Sequence, residues 1–286
     1  MEAEAKAFGA ATIINAIGLG KGAAFGIDIW TQARVQITDS KENIDVSIKN
    51  DPDENKELAI HTVQQVFDHF QVTKGANVET ESNIPIARGL KSSSVAANAI
   101  ALATVTALGK RMPDLEIIKL GVEAAIQSNV TITGAFDDAC ASYYGGAVVT
   151  DNTTKQLLKR FKIEENPRIL LFIPDIKRYT IEVDAERLKK VSPLVQIAWE
   201  IALQGDIWKA LTLNGYLYSS ELDLDPEIAL SALESGALAA GLSGKGPATI
   251  AVVNAEMVDA VKQTWSSYKG EIREVKINRT KAHILQ

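Results

Sequence analysis

The segment of residues 85–98 limits the fold of this chain more than any other feature of the sequence, because it joins a short strand to a long apolar helix. It reads P-I-A-R-G-L-K-S-S-S-V-A-A-N, and the Ala-rich run over 95–108 predicts a buried helix. Proline, glycine and three serines before helix formers predict a loop that feeds a helix N-terminus. Such an end presents free backbone N–H groups and the positive pole of the helix dipole, so it attracts phosphate. A serine-capped helix after a glycine turn gives the same pattern, so this segment alone does not fix a function.

Composition narrows the class of protein. The chain has 286 residues, of which 46% are hydrophobic and 23% charged, which is typical of a soluble globular protein with a substantial core. Its net charge is −6 and it has no basic block, so we expect it not to bind nucleic acid. The single cysteine, Cys140, fits a reducing compartment. No apolar run has the length of a membrane span and the N-terminus lacks a signal-peptide pattern, so we expect a cytoplasmic protein that does not enter the membrane.

Hydrophobic periodicity predicts an α+β protein in two lobes. A strand over 30–38 and a second over 44–48 are expected to form a hairpin, followed by a helix over 56–70 and a strand over 77–81. The high charge density over 155–168 places the lobe boundary there, which gives an N-terminal domain of residues 1–160 and a C-terminal domain of residues 161–286. The later elements are expected as strands over 147–150, 169–173, 179–183, 248–253 and 271–277, and as helices over 114–127, 184–191, 193–204, 205–218, 226–235 and 256–268.

Three familiar kinds of site are not supported. Residues 18–23 match the dinucleotide fingerprint G-x-G-x-x-G/A, but a strand follows them where that fold requires a helix. The Gly-Lys pairs at 20–21, 109–110 and 244–245 lack the serine or threonine that completes a Walker loop. The three histidines, His61, His69 and His283, have no metal-ligand spacing.

Three glycine-rich segments and one acid pair, taken in order, resemble the GHMP kinases, the superfamily of galactokinase, homoserine kinase and mevalonate kinase. The second family motif, P-x-x-x-G-L-G-S-S-A-A, corresponds to residues 85–96, and the third, S-G-x-G-P, corresponds to 243–247. The acidic segment corresponds to 133–146, with Asp137 and Asp138 before Gly145 and Gly146. Lys91 replaces a motif glycine. Together with I-I-N-A and G-K-G-A-A-F-G-I-D near the N-terminus, it makes the chain similar to archaeal-type shikimate kinases.

The resemblance implies a two-lobed GHMP kinase fold with an N-terminal mixed α/β lobe and a C-terminal ferredoxin-like α+β lobe. It also implies ATP-dependent phosphorylation of a hydroxyl of shikimate with Mg²⁺ as cofactor. The nucleotide phosphates are expected on a glycine-rich loop whose residues are Pro85, Ile86, Ala87, Arg88, Gly89, Leu90, Lys91, Ser92, Ser93 and Ser94. By the same resemblance Ser92 or Ser93 contacts magnesium, and Glu123 is the candidate for a second ligand.

The catalytic base is expected to be Asp138 or Asp137. Alignment on Gly145 and Gly146 selects Asp138, which we prefer, whereas alignment on Gly134 selects Asp137. Some family members also use an N-terminal lysine. Its place here holds Ala10, so that role is either absent or transferred to Lys6 or Lys21.

The carboxylate and hydroxyls of shikimate need at least one cation and several polar groups. Asn15, Lys21 and Asp28 are candidates, and Ser243, Gly244 and Gly246 are expected to close the pocket near the phosphates. One alternative is the same chemistry on another small alcohol such as homoserine. Another is a non-catalytic member that binds a metabolite. The oligomeric state stays open, with a homodimer as one option.

Overall fold

The structure is a computed structural model that describes residues 1–40, 43–49, 51–84, 91–131, 133–175 and 185–285, of which 185–189 are described by their backbone alone. Within these ranges two sheets carry packed helices, so the α+β class is confirmed. Residues 85–90 of the predicted nucleotide loop and the strand predicted over 179–183 lie outside the described residues. None of the described helices combines the length and the apolar character that crossing a bilayer requires.

The elements alternate along the chain with short connections. The strands in the described ranges are β1 (Glu2–Ile14), β2 (Lys21–Thr38), β3 (Ile44–Ile48), β4 (Gly75–Ser82), β5 (Ala147–Asp151), β6 (Gln156–Phe161), β7 (Arg168–Pro174), β8 (Ala239–Leu242), β9 (Thr249–Val253), β10 (Gly270–Lys276) and β11 (His283–Ile284). The α-helices there are α1 (Glu57–Phe70), α2 (Ser92–Ala107), α3 (Asp114–Gln127), α4 (Phe136–Tyr144), α5 (Ala185–Gln204), α6 (Ile207–Glu221), α7 (Glu227–Glu234) and α8 (Val258–Trp265).

The first sheet is built around the long antiparallel pair β1 and β2. Its strand order is β11-β1-β2-β4-β3, with β5 paired to the first half of β2 and β6 paired to β5. Residues 22–27 of β2 are buried on both faces, whereas residues 30–36 alternate between buried and less buried positions. This difference explains why sequence periodicity indicated a strand only over 30–38, since a strand covered on both faces has no alternation to detect.

The predicted hairpin between residues 30–38 and 44–48 is wrong. β3 pairs in parallel with β4, and β4 in turn pairs antiparallel with the second half of β2. Helix α1 forms the crossover between the two parallel strands and buries Val63, Val66 and Phe67. Local alternation predicts that a segment is a strand, but it does not identify the strand's partner.

Helices α2, α3 and α4 pack against one another beside the first sheet, and α2 and α4 contact β1 and β2 directly. Helix α2 has no polar stripe, because nearly its whole surface is buried. Helix α3 approaches it closely at Gly121, where an added Cβ would lie 3.2 Å from the Cβ of Ala97. Helix α4 was not predicted, because its sequence F-D-D-A-C-A-S-Y-Y is short and lacks a periodic apolar face.

The second sheet is antiparallel with the order β10-β7-β9-β8. This order and its helical connections follow the β-α-β-β-α-β scheme of ferredoxin-like lobes. Helix α6 contacts both β8 and β1, so it lies between the two sheets, while α7 and α8 cover the outer face of the second sheet. The two helices predicted over 184–191 and 193–204 are one helix, α5, which contains Pro193.

The two sheets share a continuous core. One cluster of buried apolar side chains among the described residues includes Phe25 and Ile27 of β2 together with Leu171 of β7 and Ile250 of β9. The chain also returns to the first sheet at its end, where β11 pairs with β1. The sheets therefore hold one another in place, and groups at their junction have fixed relative positions.

Candidate active site

The N-terminus of α2 is the phosphate-binding feature that the sequence predicts. Lys91 is the residue that precedes the helix, with φ 66° and ψ 26° in the left-handed region. Ser92 and Ser93 follow, and their hydroxyls make no hydrogen bond to any described residue. The backbone N–H groups of this first turn and the hydroxyls of Ser92 and Ser93 thus lie at one end of the helix, as a phosphate site requires.

Lys91 joins this helix end to the acid pair. Its ammonium nitrogen lies 2.8 Å from Oδ2 of Asp138, and both side chains are largely buried. The other carboxylate oxygen, Asp138 Oδ1, is buried and has no hydrogen-bond partner among the described residues. A buried acceptor without a donor is costly unless a ligand supplies the donor.

Asp137 has a different environment from its neighbour. Its Oδ1 accepts a hydrogen bond of 2.7 Å from Asn152, and its side chain packs on Gly22, where an added Cβ would lie 2.4 Å from Asp137 Oδ2. Burial, and then the negative charge of Asp138, raise the pKa of Asp137 to about 7. Asp137 is therefore held by packing and by Asn152, which leaves Asp138 as the acid with an available oxygen.

Asn152 belongs to a short polar chain that sequence reasoning missed. The Thr150 hydroxyl lies 2.7 Å from Asn152 Oδ1 and donates to it, while the Asn152 amide donates to Asp137. Both residues are buried at the end of β5, next to the first residues of β2. The sequence carries no signal for these hydrogen bonds, because they form only when α4, which carries Asp137, packs beside the end of β5.

The third glycine-rich segment connects β8 and β9 and is attached to the end of β1. The Asn15 amide donates 2.8 Å to the Gly244 carbonyl, and the Gly244 N–H donates 2.9 Å to the Thr12 hydroxyl. Ser243 is fully buried, and Gly246 has φ +73°, a conformation that favours glycine. The structure therefore brings Asn15, Ser243, Gly244 and Gly246 together at the junction of the two sheets.

Lys245, between those glycines, was not among the predicted site residues. It is half-buried and forms no ion pair or hydrogen bond with any described residue. Burial and the nearby positive charge of Lys91 lower the pKa of Lys245. A lysine inside a glycine-rich loop is the sequence signal that identifies it in retrospect.

Two other candidates lie away from the acid pair. The Lys21 ammonium is 4.6 Å from the centre of the Trp199 ring and 3.4 Å from Gln196 Oε1, both on α5. Asp28 is exposed and accepts a hydrogen bond of 2.7 Å from the backbone N–H of Lys276. It lies six residues beyond Gly22 on β2, which corresponds to about 20 Å along a strand.

The predicted magnesium donors at the start of α2 are the hydroxyls of Ser92 and Ser93. Glu123, the other predicted ligand, lies on α3 two residues beyond Gly121, and because Gly121 faces Ala97 and residues two apart on a helix do not share a face, this contact does not place Glu123 against α2. Its carboxylate is paired with Lys155 and is partly exposed. Mg²⁺ binds oxygen donors such as carboxylates and serine hydroxyls, and substrate phosphates and water supply its remaining ligands. No cluster of three or more His, Cys, Asp or Glu side chains occurs in the described ranges, so a site held by protein groups alone is not seen there.

An apolar groove of about 350 Å³ is separate from these residues. It lies between α5, α6, α7 and β8, and its lining includes Leu213, Tyr216 and Leu230 but none of the residues that surround Asp138. Its shape and chemistry do not suit phosphoryl transfer, because its lining holds no acid and offers Lys209 as its charged group.

Comparison with known sequences supports a kinase. The sequence profile described as GHMP kinases N terminal domain matches residues 57–146, which include α2 and the acid pair. Shikimate kinase from Methanosarcina mazei is 47% identical over 99% of this chain and 96% of its own length. Shikimate kinase from Pyrococcus furiosus is 40% identical over 92% of this chain and 95% of its own length.

Solved structures show the same fold. Homoserine kinase from Cytophaga hutchinsonii superposes with a TM-score of 0.77 at 16% identity, covering 99% of this chain and 97% of its own. Mevalonate kinase from Methanococcus jannaschii superposes with a TM-score of 0.72 at 18% identity, covering 97% and 98%. At these identities the likeness shows the architecture and does not identify the acceptor.

Proposed function

We propose that this chain, which belongs to the GHMP kinase superfamily and within it to the shikimate kinases of archaeal type, transfers the γ-phosphoryl group of ATP to a hydroxyl of shikimate. The acceptor rests on the full-length relatives that bear this name. The observation that carries the chemistry is the Lys91–Asp138 pair, in which one carboxylate oxygen is paired and the other is buried with no donor among the described residues. A hydroxyl of the acceptor is the donor that this oxygen lacks.

Asp138 acts as the base in this proposal. Its free oxygen accepts the proton of the attacking hydroxyl as the new bond forms between that hydroxyl oxygen and the γ-phosphorus. The bond from the γ-phosphorus to the oxygen bridging it to the β-phosphorus breaks, and ADP leaves with that oxygen. Lys91 orients Asp138 in this proposal, whereas the sequence had left the lysine role either absent or transferred to Lys6 or Lys21.

The nucleotide phosphates bind at the N-terminus of α2 in this proposal. Ser92, Ser93 and Ser94 lie in its first turn, where N–H groups and the helix dipole favour an anion. Residues 85–90 complete this loop in our assignment but lie outside the described residues. By the family resemblance Ser92 or Ser93 and Glu123 would hold Mg²⁺, which would neutralise charge on the phosphates.

A coupled ADP-release assay tests this proposal. We expect turnover with magnesium-ATP and shikimate, with kcat/KM at least about 10²-fold above that for homoserine or mevalonate. Faster turnover with homoserine or mevalonate would support kinase activity but contradict shikimate as the acceptor. ATP binding without turnover on any of the three would favour a non-catalytic binding protein.

The same assay separates the two acids. We expect Asp138→Asn to lower kcat by at least about 10²-fold, as loss of a general base does, with little change in the KM for ATP. Asp137→Asn retains the acceptor oxygen for Asn152 and should lower kcat by less than about 10-fold. The opposite ranking would make Asp137 the base.

A further inference from the structure

Two polar groups in the region around Asp138 have no partner among the described residues. Asp138 Oδ1 is a buried acceptor with no donor, and Lys245 is a half-buried cation with no counter-ion among the described residues. Both lie in the same region, because Gly244 is hydrogen-bonded to the end of β1, where Ile14 pairs with Ala23 of β2, and the adjacent Gly22 packs against Asp137. A ligand that satisfies both groups carries a hydroxyl and an anionic group.

The loop that carries Lys245 is rigidly placed. Thr12 and Asn15, at the end of β1, hold both backbone groups of Gly244. An added Cβ at Gly246 would lie 2.8 Å from Leu242, so the loop is closely packed on that side also. Lys245 therefore extends from a fixed backbone, as a side chain that selects a ligand must.

Lys21 is the other cation described near this junction, and its side chain points to the face of the sheet opposite the acid pair. Adjacent residues of a strand point to opposite faces of the sheet. Gly22 faces Asp137, so Lys21 faces α5, where its ammonium lies against the Trp199 ring and Gln196. Its charge is thus already stabilised on the face away from the acid pair.

We propose that Lys245 binds the carboxylate of the acceptor and so selects a hydroxy acid whose hydroxyl reaches Asp138. This assignment rests on the proposed function for the identity of the reaction. The competing source of an anion is the nucleotide. Its phosphates already have the N-terminus of α2 and the free hydroxyls of Ser92 and Ser93, whereas among the described residues the acceptor's carboxylate has no other unpartnered cation beside Asp138.

The test uses Lys245→Met, which keeps the length of the side chain and removes its charge. We expect the KM for shikimate to rise between about 10- and 100-fold, the loss of one charge-assisted hydrogen bond, and the KM for ATP to change less than about twofold. Shikimate methyl ester, which lacks the anion, should be used equally by the wild type and the variant within about threefold. Lys245→Arg should recover most of the affinity for shikimate.

Several outcomes would overturn this assignment. A rise in the KM for ATP alone would assign Lys245 to the nucleotide, and an effect confined to Lys21→Met would assign the carboxylate to Lys21. An unchanged KM for shikimate in Lys245→Met would contradict the proposal. Lys209→Met, an exposed lysine on α6, is the matched control for loss of one charge.

Failure of the proposed function would look different. If homoserine or mevalonate proves to be the acceptor, shikimate is excluded, but these compounds also carry a carboxylate and Lys245→Met should raise their KM by the same factor. Isothermal calorimetry of acceptor binding in the presence of a non-hydrolysable ATP analogue gives a readout without turnover. Thermal unfolding checks the fold of the variant, and we expect no loss of Tm, because a half-buried charge has been removed.

Discussion

Asp137 and Asp138 show how far two identical neighbours can diverge. Asp137 is enclosed by Gly22 and Asn152, whereas Asp138 is paired with Lys91 and has one oxygen without a hydrogen-bond partner in the described part of the chain. The sequence predicted that this acid pair is functional, yet two alignments gave two different bases. The distinction depends on Asn152 and Lys91, which are distant in the chain and are brought to the acids only by folding.

The raised pKa of Asp137 makes stability depend on pH. An acid with a usual pKa of 3.8 that titrates near 7 when folded binds its proton more tightly in the folded state. Its contribution to stability is therefore full below about pH 4 and is lost as pH rises through 7. Asp137→Asn is neutral throughout, so we expect its Tm advantage over the wild type to grow by about 5 °C between pH 5 and pH 8.

Thermal denaturation monitored by circular dichroism at both pH values measures this difference. The exposed Asp259→Asn variant, on α8, serves as the control and should show no comparable growth. A Tm difference for Asp137→Asn that stays constant with pH would mean that Asp137 is not held as a neutral acid in the fold.

At the scale of elements, the start of α2 combines two demands in one residue. The position of Lys91 requires a left-handed backbone, which an L-residue adopts at a cost of about 1 kcal/mol relative to glycine. The GHMP kinase motif has glycine at this position, whereas this chain has the lysine that pairs with Asp138. Strain at this position is thus retained together with a side chain that forms a buried ion pair.

Paired substitutions at Lys91 separate backbone from charge. Lys91→Gly and Lys91→Ala both remove the ammonium, so their difference reports the backbone alone. We expect Lys91→Gly to be the more stable of the two by about 1 kcal/mol, in urea denaturation. Inside a helix alanine is the more stable residue, so the free energy of unfolding of Gln64→Ala on α1 should exceed that of Gln64→Gly by a similar amount. The same order at both positions would contradict a left-handed Lys91.

The elements that sequence predicted well are those with local signals. Helix α3 has the bounds that its periodicity gave, Asp114–Gln127, since its apolar face follows a regular spacing. β2 was predicted only where it is half-exposed, and the partner of β3 was wrong, because pairing is a long-range property. Lys245 was not predicted as a site residue for the same reason, because its loop is held by Thr12 and Asn15 at the end of β1, far away in the sequence.

At the scale of the whole molecule, the division into residues 1–160 and 161–286 remains a proposal about sequence organisation, and the packing predicts how it behaves. Helix α6 lies between the sheets, and the core cluster of described residues includes both of them. We therefore expect the full chain to unfold in one calorimetric transition with matching van't Hoff enthalpy. Residues 1–160 alone should aggregate, because β1 loses its cover. Two resolved transitions, or a soluble folded fragment, would show that the lobes are independent.

The buried pair of Lys91 and Asp138 also decides how the protein should respond to ionic strength. Dissolved ions screen charges in solvent over about 10 Å at 0.1 M salt but act weakly on a pair enclosed by protein. An acidic reactant, however, approaches through solvent toward a molecule of net charge −6, and salt reduces that repulsion. Encounter with the acceptor is therefore expected to depend on salt, while the proton transfer that we propose at Asp138 would take place in surroundings that the bulk electrolyte hardly reaches.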